Sequence, residues 1–149
     1  MSKNLSFRGQ IPPTQQEKIN LATLNGKTGY RITKFQILSK TPGAVGVVEF
    51  VTKIYSRDQS GSIDANVEFT DGDLLAVAYY QDHTNTDLIS STDIIFDNEV
   101  FNQNIFVTVS DASGGTQPCN YYIELETVAL SDIQSTQLTL KNLRTIASR

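Results

Sequence analysis

Residues 119–130, CNYYIELETVAL, put Cys119, Tyr121, Ile123, Leu125 and Thr127 on one side of an extended chain and Tyr122, Glu124, Glu126 and Val128 on the other. Alternation sustained over this length marks a strand with one buried and one wet face, because successive strand side chains point to opposite sides. The pattern recurs upstream. Within 44–56, Val48, Phe50, Thr52 and Ile54 alternate with Glu49, Val51, Lys53 and Tyr55; within 100–110, Ile105, Val107 and Val109 alternate with Phe106 and Thr108. Residues 30–38 begin with Tyr30 and Ile32 on one face and end with Phe35 and Ile37 on the other. One inserted residue exchanges the faces, so a bulge is expected near Thr33-Lys34. Residues 74–80 are apolar on both sides, which predicts a strand covered on both faces. The segments 18–24, 63–70 and 93–96 also read as strands, and 81–92 as a polar loop with a short strand at its end.

Between these runs lie Asn25-Gly26, Thr41-Pro42-Gly43, Asp71-Gly72-Asp73 and the 112–116 stretch ASGGT, all turn formers. Eight or so strands spaced roughly 10–16 residues apart predict an all-β chain, an antiparallel β-sandwich of jelly-roll-like winding. Residues 1–16 hold Gly9, Pro12 and Pro13 without sustained periodicity and read as an extended N-terminal arm. Residues 17–130 then form the sandwich domain. Residues 131–149 change period: Ser135 or Thr136 is the expected cap of a short C-terminal α-helix, with Leu140, Leu143 and Ala147 as its apolar stripe. Lys141, Arg144 and Arg149 suit the negative end of that helix. A helix this short is marginal alone, so its stripe is expected to dock on the sandwich or on a neighbouring subunit.

The chain has 149 residues, 39% of them hydrophobic, which suits one domain with a substantial core. A single Cys119 removes disulfide scaffolds and multi-cysteine metal sites. No signal peptide is expected at the start, and no apolar run is long enough for a membrane span. The net charge of −4 conceals a division: residues 1–40 sum to +6, residues 41–130 to −12 and residues 131–149 to +2. Field sign steers association, so basic ends read as surfaces for holding a partner and an acidic middle as a face turned outward. Lys3 and Arg8 are the expected docking charges at one end, and Leu140, Leu143 and Arg144 the expected partner contacts at the other. A pI near 4.9 argues against dedicated nucleic-acid binding.

Catalytic chemistry finds little footing. His83 is the only histidine and sits among polar residues, and no serine has a nucleophile-elbow context. Asp71-Gly72-Asp73 resembles half of a calcium loop, without the closing Glu at EF-hand distance, and reads first as a turn, a lone calcium there being left open. Gly114-Gly115 lacks the lysine of a phosphate loop. Cys119, on an alternating face with Tyr121 and Ile123, reads as a buried inert thiol. No enzyme activity and no cofactor is expected.

Three stretches, ATLNGKTGYRITKFQILSKTPG (22–43), FNQNIFVTVSDASGGTQPCNYYIELE (101–126) and STQLTLKNLRTIAS (135–148), resemble small virion structural proteins of marine tailed bacteriophages. The resemblance rests on overall pattern and brings no active-site residues. It implies a capsid decoration or cement protein, with a head–tail connector or tail protein as the alternative place in the virion. The partners it implies are the major capsid protein or other virion proteins, and further copies of the chain as a trimer or dimer. A glycan-binding module, using loops 57–62, 81–92 and 111–118 with Tyr79 and Tyr80, is the competing expectation.

Overall fold

In the computed structural model of the chain, the described residues are 3–23, 26–43, 46–83, 88–96 and 99–147, with the backbone alone described for 88–90 and 142–147. They form β1 (Asn4–Ile11), β2 (Gln15–Ile19), β3 (Thr28–Ser39), β4 (Val47–Tyr55), β5 (Leu74–His83), β6 (Leu88–Ile95), β7 (Ile105–Asp111), β8 (Cys119–Ala129) and α1 (Asp132–Ala147). All pairings are antiparallel, in a small sheet ordered β1-β8-β3 and a large one ordered β2-β7-β4-β5-β6. The two sheets face each other as a sandwich. Phe35, Ile123 and Leu125 of the small sheet and Phe50, Ile54, Ile105, Val107 and Val109 of the large one are wholly buried. No helix among the described residues is long and apolar enough to cross a membrane.

Alternation is realised where the sequence shows it most clearly. In β8, Cys119, Tyr121, Ile123 and Leu125 are buried while their neighbours are partly exposed. In β3 the register against β8 shifts between Ile32 and Lys34, so Thr33 is the inserted residue that exchanges the faces. β5 is buried on both faces over Leu74–Ala78.

The expected arm is extended but docked. Asn4–Ile11 pairs along β8 from Asn4↔Glu126 to Ile11↔Cys119, with Asn4, Ser6, Arg8 and Gln10 outward. Leu5, Phe7, Gly9 and Ile11 take the inward positions, and main-chain and side-chain hydrogen bonding at the strand end is continued by Lys3 with Thr127. Burial of Ile11 and satisfaction of the β8 edge hold the segment that its low periodicity reads as an extended arm. Pro12-Pro13 then mark the crossing between sheets, where Thr14, at φ 63°, donates its N–H to Val109 O at 2.7 Å. β2 accordingly starts earlier than expected and ends at Ile19.

Residues 63–70 are the second correction: they form no strand. Asp64 Oδ1 accepts the Asn66 N–H at 3.1 Å, a local turn that competes with extended pairing. The segment lies over the outer face of the large sheet, tied down by Lys53, whose ammonium reaches Asp64 at 3.2 Å and the Asn66 carbonyl, and by an edge-to-face contact of Phe69 with Phe96 at 5.3 Å. This cover explains how Lys53 in mid-strand is only 2% exposed. The region 81–92 is also more regular than expected, since β5 runs to His83 and β6 begins at Leu88. The start of 100–110 lies outside β7, with Phe101 bridging Tyr30 instead.

The helix begins before the expected caps. Ser131 Oγ accepts the Gln134 N–H at 3.2 Å while the Gln134 side chain accepts the Ser131 N–H at 3.0 Å, a reciprocal capping box. Its inner side is Ser135, Leu138 and Thr139, whereas Leu140 is 49% exposed. The docking is polar: buried Asn102 donates from Nδ2 to the Gly26 carbonyl at 3.0 Å and Thr139 Oγ1 at 3.3 Å. Gly26 is required there, for its φ is 64° and a Cβ would press on Ser135 Oγ at 3.1 Å. Lys27–Asp132 at 2.8 Å closes the contact, lowering the Asp132 carboxyl and raising the Lys27 ammonium from their ordinary values.

Candidate functional site

The outer face of the small sheet is a set of cross-strand rungs. Asn4, Glu126 and Arg31 share one, Ser6, Glu124 and Lys34 the next, then Arg8, Tyr122 and Gln36, then Gln10, Asn120 and Leu38. Arg31 pairs with Glu126, and Lys34 lies 3.9 Å from Glu124. The fold therefore sets Arg31 and Lys34 of the basic early sequence against Glu126 and Glu124 of β8, so two charges of each segment offset each other across adjacent strands. Exposed pairs of this kind contribute about 0–1 kcal/mol each, so their main effect is on surface potential. Arg8 lies opposite Tyr122 rather than a carboxylate.

Beside these rungs a groove of about 740 Å³ is lined by Arg8, Gln10, Gln36, Leu38, Asn120 and Tyr122, by Gly9, Ile37 and Tyr121, and across from them by Ala78, Ser91, Thr92 and Asp93. It lies between the small sheet and the β5–β6 hairpin, where β3 and β6 are both sheet edges and do not hydrogen-bond each other. Gln10 Nε2 donates to Asn120 Oδ1 at 2.9 Å, and Tyr122 donates to Glu124 at 2.8 Å. Deeper in, Tyr121 donates to Glu17 Oε1 at 2.6 Å, and burial followed by that carboxylate pushes the Tyr121 hydroxyl well above its ordinary range. Amides, hydroxyls, one guanidinium and a strip of apolar surface suit recognition of a polypeptide or a carbohydrate.

Of the residues expected to hold a partner, Arg8 lies on this groove, and Lys3 is exposed at the start of β1. Leu140 lies on α1, 49% exposed, and is not part of the helix face that docks. Leu143 and Arg144 fall within α1, but their side chains lie outside the described residues. Among the described side chains, Arg8 lines the groove and Leu140 does not. The sequence reading missed Gln10, Gln36, Asn120 and Tyr122, whose signal was their outward position in alternating strands.

The remaining candidates have structural duties. Asp73 is 6% exposed and pairs with Arg57 at 3.0 Å, while Asp71 Oδ1 accepts the Asp73 N–H at 2.9 Å, so the turn uses its own carboxylates. His83 Nε2 lies 3.2 Å from Glu49 and 2.9 Å from the Gln81 amide at the end of β5. Tyr80, expected as a sugar contact, is 2% exposed and stacked on Phe50. Cys119 is buried and free, and burial raises its thiol to about 11. No protein family, curated protein or solved structure matches the chain.

Proposed function

We propose that this chain is a non-enzymatic virion structural protein that binds and stabilises a bacteriophage capsid as a decoration or cement protein. The observation that carries this reading is the open flank of the sandwich: Arg8, on the edge strand β1, beside a groove of about 740 Å³ rich in amide groups. A cement protein must grip a preformed shell across the seams between its subunits. An edge strand offers main-chain donors and acceptors to an extended segment of the major capsid protein, and Arg8 adds a charge suited to an acidic shell surface. Because β1 is already ordered against β8, binding loses less conformational freedom than a free arm would. Repetition over the shell supplies avidity, so each contact can be weak.

Undecorated shells incubated with the purified chain should bind it saturably in co-sedimentation and melt at higher temperature. Arg8→Glu should weaken binding while leaving the fold intact. Absence of co-sedimentation, or equal binding by Arg8→Glu, contradicts the proposal. The head–tail connector or tail position differs only in where the chain is found on the particle.

The same groove favours a second reading, a glycan-binding module, because Tyr122 and the Gln10, Gln36 and Asn120 amides offer a ring edge and paired donors and acceptors. On a glycan array the chain should then show hits that Tyr122→Ala removes.

A further inference from the structure

We propose that the outer edge of β6 is a self-association surface, to which a second copy of this chain adds its own β6 antiparallel about a two-fold axis. The inference is independent of the virion reading. β6 ends the large sheet and pairs with β5 alone, over Ala76↔Ile95 to His83↔Leu88, with no register shift. A row of main-chain donors and acceptors on the far side of such a strand is a template for another chain, and proteins ordinarily blunt it with Lys, Pro, a bulge or brevity.

β2 and β3 carry those devices: β2 is five residues long with Glu17 and Lys18, and β3 has the bulge at Thr33 together with Arg31 and Lys34, while the β1 edge, with Arg8, is the one assigned above to a capsid partner. β6 is eight residues, LISSTDII, with no Pro and no cation. Ser91, Thr92, Asp93 and Ile94 are all exposed in succession, Ile94 at 42%. The groove bordered by Ser91, Thr92 and Asp93 leaves room along this side.

The sequence of β6 selects the partner. Two apolar residues, four polar residues and two apolar residues read nearly the same in either direction. Antiparallel pairing centred between Ser91 and Thr92 sets Leu88 opposite Ile95 of the second copy, Ile89 opposite its Ile94, Ser90 opposite its Asp93 and Ser91 opposite its Thr92. Apolar ends meet apolar ends, and neither Asp93 faces its twin, which would be unfavourable. An isologous contact requires this self-complementarity, and it closes the assembly at two copies by joining the large sheets into one.

The test is sedimentation velocity with light scattering on the full chain. The wild type should show a concentration-dependent monomer–dimer equilibrium. Ser91→Lys/Thr92→Lys and Ser91→Glu/Thr92→Glu each place like charges opposite one another twice, and each should weaken dimerisation at least about tenfold. Both positions are exposed, so circular dichroism should show wild-type folding. Mixing the two variants sets Lys against Glu and should restore a dimer containing one of each. A wild type that stays monomeric, a lysine variant that dimerises as the wild type does, or a mixture that stays monomeric overturns the proposal.

Discussion

Gly9→Ala tests whether the first sixteen residues are a strand of the sandwich or an arm. An ideal Cβ at Gly9 would lie 2.7 Å from Cε2 and 2.8 Å from the hydroxyl oxygen of Tyr121, well inside the roughly 3.5 Å of ordinary contact. The Tyr121 ring crosses β1 at that point because glycine leaves the space, and its hydroxyl reaches Glu17 of β2 at 2.6 Å. A methyl group forces either the ring or the strand to move. Overpacking costs about 1–3 kcal/mol, and losing a hydrogen bond to a carboxylate adds roughly 1.5–3 kcal/mol. Reduced freedom of the unfolded chain returns about 0.4–1 kcal/mol, leaving a loss of about 2–5 kcal/mol. For a domain of this size that lowers Tm by roughly 5–15 °C, measured by calorimetry or by a circular dichroism melt. In a Tyr121→Ala background the same substitution should change Tm far less, because its clash partner is gone. A Gly9→Ala chain melting within about 1 °C of wild type refutes the docked strand, since that is what an arm would do.

Three further outcomes follow from buried groups. Asp64→Ala should destabilise by about 2–3 kcal/mol in denaturant melts, because it strips the near-buried Lys53 ammonium of its carboxylate, whereas Lys53→Met should be nearly neutral and should mainly speed proteolysis within 62–70. Asn102→Ala should loosen α1 selectively, raising amide exchange over 132–141 more than in β8, because Asn102 bonds both Gly26 and Thr139. Cys119, whose thiol is raised from its ordinary 9.0 to about 11, keeps its proton in the folded chain where the unfolded chain has lost it, so its contribution is intact below pH 9 and falls away as pH rises toward 11. That loss is roughly 2–3 kcal/mol at about 1.4 kcal/mol per pH unit. Cys119→Ala should flatten the alkaline limb of the stability curve, and native wild type should resist thiol reagents at pH 8.

The sandwich was legible where one strand face is buried and the other wet. The face exchange in 30–38 located the bulge at Thr33, and the 119–130 alternation matches β8 residue by residue. β1 alternates equally well, but Gly9 interrupts the apolar side, because the space its side chain would fill belongs to Tyr121. β6 hid for the opposite reason: Ser91–Ile94 is exposed throughout, and nothing imposes alternation on such a strand. Residues 63–70 alternate and are not a strand, since Asp64 and Asn66 close a turn and take Lys53 as their anchor. The capping residue was visible in the Ser131–Gln134 spacing and lost to the nearer Ser135 and Thr136. Only Arg8 of the groove was anticipated. The others meet through pairings more than eighty residues apart in sequence, as Gln36 does with Tyr122, which no local pattern encodes.

The proposed function is tested most directly by a cryo-electron-microscopy map of tailed-phage particles assembled in cells that express this chain. The account predicts its sandwich on the outer surface of the shell, over seams between capsid subunits, with β1 and Arg8 turned toward the shell. Density for the chain confined to the tail, or its absence from the particle, contradicts the decoration reading.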